Sequence, residues 1–405
     1  MGQQPLRRVT IVGGSLAGLR AAEALRREGY DGVVRIIGAE EHLPFDRPPL
    51  SKQVLAGTWE PARAQLRGAD SVDAEWVLGH RATSLDVATH SVTLDDGSRV
   101  DADGVVIATG ATPRRLPAAV ADPGLEGVHV LRSMADCVAL ADDLARSERV
   151  TVIGAGFIGS EVASTAKGRG LEVTILEALP VPLERVLGAE MGKVCGRLHI
   201  DNGVDLRPAV AVAGLEAGSA AGAAAGRVGR IRLADGGAID ADVVVVGIGV
   251  TPDTGWLQTS GLTLDNGVVC DARCQAAPRV VAAGDCARWY HTGLAALLRV
   301  EHWTNAAEQA DAAARTLLHG TAAPVYSPVP YFWSDQYGTK IQFVGHNNPG
   351  DTVAIVEGSV DEGRFVATYS QGERITAALL WNRPARIPYW LGELAWLGGS
   401  PARDG

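Results

Sequence analysis

The sequence predicts an α/β chain with two Rossmann-like dinucleotide-binding domains and a small, β-rich α+β domain at its C-terminal end. Three observations carry this reading. Two strand–glycine turn–helix–strand units stand about 140 residues apart. Two strands ending in similar Thr-Pro turns, at 109–113 and 249–252, bracket the second unit. The last 75 or so residues, from 331 on, are aromatic and strand-like.

The second unit, RVTVIGAGFIGSEVASTAKGRGLEVTILE at 149–177, is the clearest stretch in the chain. Residues 150–153 form an apolar, β-branched run too short for a helix. Gly154, Gly156 and Gly159 follow at GxGxxG spacing, and a helix-compatible segment runs to about residue 167. Gly154 permits the tight turn, Gly156 lets a pyrophosphate approach the backbone, and Gly159 lets helix pack on strand. The start of that helix then favours the phosphate charge. A second apolar strand at 172–176 ends on Glu177, an acid placed to accept hydrogen bonds from both hydroxyls of an adenosine ribose and to repel a 2′-phosphate. A glycine-rich turn without a nucleotide is the plain alternative, and the full strand–turn–helix–strand context argues against it.

The first unit repeats this plan. A strand at 9–12 leads into Gly13, Gly14, Ser15 and, three residues on, Gly18; a helix to about residue 28 and a strand at 33–37 end near Glu40. Ser15 stands where the middle glycine of the pattern falls, a small departure whose hydroxyl can itself bond a phosphate. Glu40 is placed for a ribose. RPPLSK at 47–52 follows, and its paired prolines make a rigid loop that presents Arg47 and Lys52.

Alternation at 99–107 predicts one strand running into the crossing turn at Thr109 and Gly110. The domain boundaries expected are therefore 1–113 with 249–324 for the first domain, 114–248 for the inserted one and 325–405 for the last. An alanine- and glycine-rich tract within 209–229 reads as a flexible surface loop between strands. After the second crossing, strands are expected at 267–272 and 279–283, the latter ending in Gly284-Asp285, and a helix beginning with EHWTNA at 301–306 and running to about residue 318. Asp285 just past a buried strand is either a cofactor ligand or a helix cap.

Composition excludes several classes. At −10 from 37 basic and 47 acidic residues the chain is no general nucleic-acid binder. No apolar run reaches the roughly 18–20 residues of a membrane span, and no secretory signal pattern is present, so the cytoplasm is expected. Cys137, Cys195, Cys270, Cys274 and Cys286 form no CxxC and no metal-ligand set, so neither a redox disulfide nor a metal centre is expected.

Taken together, RPPLSK at 47–52, GAGFIGSEVA at 154–163, GVTPDT at 249–254, AAGDCA at 282–287, EHWTNA at 301–306 and FWSDQY at 332–337 resemble, in order and over nearly the whole chain, the FAD-dependent NAD(P)H:ferredoxin reductases that serve bacterial oxygenases. The resemblance implies FAD on the first unit, with Gly13, Ser15, Gly18, Glu40, Arg47, Lys52, Thr109, Gly110, Asp285 and Trp303 as its ligands. It implies NADH on the second, through Gly154, Gly156, Gly159 and Glu177. It also implies that Lys52 and Glu161 form a pair beside the flavin where nicotinamide enters. The implied partner is an iron–sulfur ferredoxin, and through it a haem-thiolate monooxygenase or a Rieske dioxygenase.

The chemistry implied is a change of currency from hydride to single electrons, which flavin can make and side chains cannot. Lys52 would stabilise negative charge on the reduced ring and Glu161 would orient Lys52. A rubredoxin reductase and an NADH oxidase are alternatives of the same build, and a slow-turnover redox-sensing interaction protein that holds FAD and NADH is an alternative from another class. A disulfide reductase needs a nucleophilic cysteine soon after the first unit, and the first cysteine here is Cys137. Ferredoxins are generally acidic, so docking is expected to rest on local cations, with Arg288, Arg299, Lys340, Arg383 and Arg386 as candidates by chain position.

Overall fold

Arg8–Val12 is buried at every position but the first and lies parallel to Val33–Gly38 on one side and Gly104–Ile107 on the other. Covered on both faces, such a strand needs a continuous apolar run rather than alternation, which RVTIV supplies. The computed structural model describes residues 6–218 and 226–398. The described residues include six α-helices: α1 (Leu16–Arg27), α2 (Met134–Leu144), α3 (Phe157–Gly168), α4 (Glu184–Asp201), α5 (Trp303–His319) and α6 (Ile387–Glu393).

The first sheet has the order Gln275–Ala277, Val280–Ala282, Gly104–Ile107, Arg8–Val12, Val33–Gly38, Glu75–Leu78, parallel except for the pairing of its first two strands. Helices α1 and α5 pack on each other, and their buried alanines (Ala17, Ala21, Ala22 and Ala24; Ala306, Ala310, Ala313 and Ala314) join one core with the sheet. The second sheet repeats the arrangement with Arg149–Ile153 between Glu172–Leu176 and Val243–Val246, all parallel, and Asp205–Arg207 and Val128–His129 at its edges.

The two crossing turns meet. Ala111–Pro113 pairs antiparallel with Val250–Pro252, and Thr109 Oγ1 donates to Asp253 O at 2.6 Å. The chain thus leaves and re-enters the first sheet's neighbourhood side by side. The C-terminal sheet is antiparallel, in the order Tyr331–Gln336, Thr339–Gly345, Arg374–Trp381, Arg364–Gln371, Thr352–Ser359.

Two expectations need correction. The alternation at 99–107 is not one strand: Arg99–Asp101 pairs with Ser91–Leu94 in a small sheet, whereas Gly104–Ile107 joins the main one. The break falls at Asp103, whose carboxylate accepts from the backbone N–H groups of Arg7 and Arg8, both at 2.9 Å, and so ties the bend to the start of the first strand. Arg374–Trp381 was not expected as a strand, yet it is central to the last sheet. The alanine/glycine tract falls largely outside the described residues, between the antiparallel strands Val212–Ala217 and Val228–Leu233.

Candidate active site

Both glycine turns are closed by contacts that leave no room for a side chain. Gly13 has φ +127°, and a Cβ there would lie 2.0 Å from Ala108 O; at Gly18 it would lie 1.9 Å from Gly13 O. In the second turn, Gly154 has φ +101° with Gly247 O at 2.5 Å from such a Cβ, and Gly159 would meet Gly154 O at 2.1 Å. Gly156 differs: its nearest neighbour would be Gly247 O at 3.8 Å, so the backbone there is open to an approaching ligand.

Around the first turn the predicted residues converge. Ser15 stands at the N-cap of α1 without capping it by its side chain, and its hydroxyl accepts from Arg47 Nη2 at 3.3 Å. Arg47 also pairs with Glu40 at 3.1 Å and donates to the backbone carbonyl of Arg132. Arg132 in turn binds Asp285 Oδ2 at 2.8 Å, and its guanidinium lies beside Gly110. Burial, and then the like charge of Arg132, push the Arg47 guanidinium down to about 10. Two neighbouring guanidiniums beside a glycine-lined helix start suit a pyrophosphate, whose charge would relieve their repulsion. The residues present therefore fit a dinucleotide.

Arg132 was missed in the sequence. The signal available was local: Ser133 and Asp136 form a capping box at the start of α2, fixing Arg132 just before a helix. Asp46 was missed too. It accepts from Trp303 Nε1 at 2.7 Å, which joins the residue before Arg47 to the first residue of α5. Burial raises its carboxyl above the usual range, an effect that the Trp303 hydrogen bond partly offsets. Trp303 meets Trp333 edge-on at 6.3 Å, and Trp333 stacks on Tyr331 at 6.1 Å.

At the second turn Glu177 is buried, and its carboxylate accepts from Ala155 N at 2.6 Å and Leu179 N at 2.8 Å. The acid is thus held against the backbone of the turn itself, where a ribose joined to a bound pyrophosphate would reach it.

The two units and the C-terminal sheet meet at Glu161. It lies two residues past Gly159 in α3 and is 4% exposed. Its Oε2 accepts from Lys52 Nζ at 2.5 Å and from Ser51 Oγ at 2.6 Å; its Oε1 accepts from Ser334 Oγ at 2.7 Å. Thr165, on the same face of α3, donates to Ser51 O at 2.7 Å. The pair expected from RPPLSK and the glycine helix is therefore formed, and Ser51 and Ser334 are additions to it.

All five cysteines are free and buried. Burial pushes the thiols of Cys137 and Cys286 up to about 11 and that of Cys195 to about 12, and raises Cys270 and Cys274 as well. A thiol-reactive dye at pH 8 is expected to label none of them in the native protein and all five after unfolding. Rapid labelling of a native cysteine would overturn this.

The five cations expected near a docking surface are each paired with a carboxylate: Arg288 with Asp265, Arg299 with Glu301, Lys340 with Asp335, and both Arg383 and Arg386 with Glu357. They are not bare charges. Among the described residues His80, Asp95 and Asp96 bring ligand-type atoms within 4.8 Å of one another on the surface, with His80 hydrogen-bonded to Asp95. No helix among the described residues is long and apolar enough to cross a membrane.

Two glycine turns, each on a largely parallel sheet, with a Lys–Glu pair between them, suit an oxidoreductase that handles two nucleotides. Residues 7–310 match the pyridine nucleotide-disulphide oxidoreductase family and residues 331–389 the reductase C-terminal family, and the chain belongs to the former, with the latter as its last domain. The resemblance drawn from the ordered motifs is borne out. Rhodocoxin reductase of Rhodococcus erythropolis is 36% identical over 380 residues, 93% of this chain and 86% of that protein. The ferredoxin–NAD(+) reductase component of the anthranilate 1,2-dioxygenase system of Burkholderia cepacia is 37% identical over 377 residues, 92% of this chain and 90% of that protein. The covalent putidaredoxin reductase–putidaredoxin complex holds a chain that superposes with a TM-score of 0.89 at 33% identity, covering 95% of this chain and 92% of that one.

Proposed function

We propose that this chain is an NADH-dependent flavoprotein reductase that passes electrons through FAD to a ferredoxin supplying an oxygenase. The observation that carries the reading is the meeting at Glu161 of the loop after the first glycine turn, the helix after the second, and the C-terminal sheet. The relatives' printed activities support it. We assign FAD to the domain made of residues 1–113 and 249–324, NADH to 114–248, and 325–405 to the C-terminal domain. FAD would be held by Gly13, Ser15, Gly18, Glu40, Arg47, Thr109, Gly110, Asp285 and Trp303, with Arg132 added, and Lys52 would supply a cation for its reacting ring. NADH is held by Gly154, Gly156, Gly159 and Glu177.

FAD, when bound, supplies a group that takes a hydride and gives up electrons one at a time. The chain's own part is positioning and charge. Arg47 and Arg132 neutralise pyrophosphate, Glu177 binds ribose hydroxyls, and Lys52, fixed by Glu161, places a cation where negative charge develops. No cysteine takes part, and the buried, free thiols suit a reducing cytoplasm.

The purified protein is expected to be yellow and to release its flavin in acid. With an iron–sulfur ferredoxin as acceptor it should turn over with NADH at a kcat/KM more than about tenfold that with NADPH, because a 2′-phosphate would meet the Glu177 carboxylate. A colourless protein that takes up no FAD ends the reading. Equal specificity for the two nucleotides refutes the role given to Glu177. Turnover with oxygen, but with no ferredoxin, would make it an oxidase of the same build.

A further inference from the structure

The Glu161 carboxylate is held unevenly. Lys52 and Ser51 both bind Oε2, whereas Oε1 has one partner among the described residues, Ser334. The terminal torsion of a glutamate is broad, so a carboxylate anchored on one oxygen retains freedom to rotate about its Cγ–Cδ bond. Ser334 removes that freedom. It is fully buried, and its oxygen accepts from Gln336 Nε2 at 3.1 Å, which leaves its single hydroxyl proton directed at Glu161.

Ser334 is itself held by the tip of its hairpin. Gln336 pairs with Thr339 across a two-residue turn in which Tyr337 has φ +50° and Gly338 φ +75°, the left-handed pair that this turn requires. Tyr337 N donates to Ser164 Oγ at 2.7 Å, and its hydroxyl lies 2.7 Å from His199 Nδ1; His199 Nε2 lies 3.2 Å from Ser160 Oγ. Burial pushes the His199 imidazole down to about 4, so it is neutral and acts here as a fixed hydrogen-bonding group. The hairpin therefore grips α3 directly at Glu161 and Ser164, three residues apart on the helix, and reaches Ser160 through His199 of α4.

We propose that Ser334 is a positioning residue for flavin reduction. Through Glu161 it sets the place of Lys52, so the C-terminal domain takes part in the NADH half of the reaction as well as any partner half. The proposal rests on the functional reading above.

The test uses the intact holoenzyme in a double-mutant cycle. Ser334→Ala is expected to slow NADH reduction of the bound flavin about tenfold in stopped flow, with the NADH dissociation constant unchanged within twofold. In a Lys52→Met background the same substitution should cause no further slowing. A merely structural serine would slow both backgrounds equally. Dye-equilibrated redox titration gives a reading independent of turnover: the flavin midpoint of Ser334→Ala should fall by about 30 mV, a tenfold change for a two-electron couple. Should Ser334→Ala fail to fold, Tyr337→Phe removes one hydroxyl at near-constant volume and enters the same cycle, with a smaller loss of about threefold expected. A wild-type enzyme reduced normally by NADH, beside a variant unchanged in rate and midpoint, overturns the positioning role alone. A wild-type chain that binds no flavin overturns the functional reading and this role with it.

Discussion

Lys52→Met is expected to slow flavin reduction by NADH about a hundredfold, near 2.7 kcal/mol in the barrier, while FAD stays bound. The same change should cost about 3 kcal/mol of stability, because it leaves the Glu161 carboxylate buried without its counter-charge. The ion pair is 2.5 Å long, with the Lys52 side chain 13% exposed and that of Glu161 4% exposed, so water can do little to screen the loss. The two effects are separable. Adding Glu161→Gln removes the stranded charge and should recover about 2 kcal/mol of stability in denaturant unfolding, yet leave reduction slow. Stopped-flow rates and affinities equal to wild type in Lys52→Met would reduce the pair to a structural contact.

The two glycine turns should fail in different ways. Gly13→Ala would force a Cβ to 2.0 Å from Ala108 O at φ +127°, and the chain must open the first turn to accept it. Flavin affinity should fall at least about a hundredfold, giving a nearly colourless protein whose circular dichroism is close to wild type. Gly154→Ala meets Gly247 O at 2.5 Å at φ +101°. That protein should remain yellow, and its NADH dissociation constant should rise about a hundredfold. The flavin-to-protein absorbance ratio and an NADH titration check both. A colourless Gly154→Ala, or a Gly13→Ala that keeps its flavin and loses NADH, would reverse the assignment of the two units.

What could be read from the sequence was what is local in it. Each glycine turn announces itself within ten residues, because the β-branched run, the spacing and the helix that follows are contiguous. The Lys52–Glu161 contact spans 109 residues and was reached only through resemblance, not through any pattern of its own. Arg132 lies 85 residues from the Arg47 side chain that binds its carbonyl, in a stretch with no glycine signature. Ser334 sat inside a quoted motif, FWSDQY, but a serine in a strand gives no hint of what it faces until α3 is packed against it. The strand Arg374–Trp381 was passed over for a different reason: buried on both faces, TAALLW lacks the alternation that marks a half-exposed strand. The break at Asp103 was hidden because the alternating stretch at 99–103 passes directly into the apolar run Gly104–Ile107, and only a side chain bonding back to Arg7 and Arg8 separates the two.

The ribbon formed by Ala111–Pro113 and Val250–Pro252 has a further consequence for how such a chain can change over time. Because entry and exit run side by side, the stretch between them is plugged in like a cassette, and its exchange for another would require no rerouting of the flanking chain. A recombination joining at these two short strands could swap the electron donor a reductase accepts while keeping the acceptor face, provided the graft restores an arginine at the position of Arg132, which reaches Asp285 and accepts from Arg47 through its carbonyl. Such a graft would, however, have to bring a glutamate and a serine at the positions of Glu161 and Ser164, or the C-terminal hairpin would find nothing to hold.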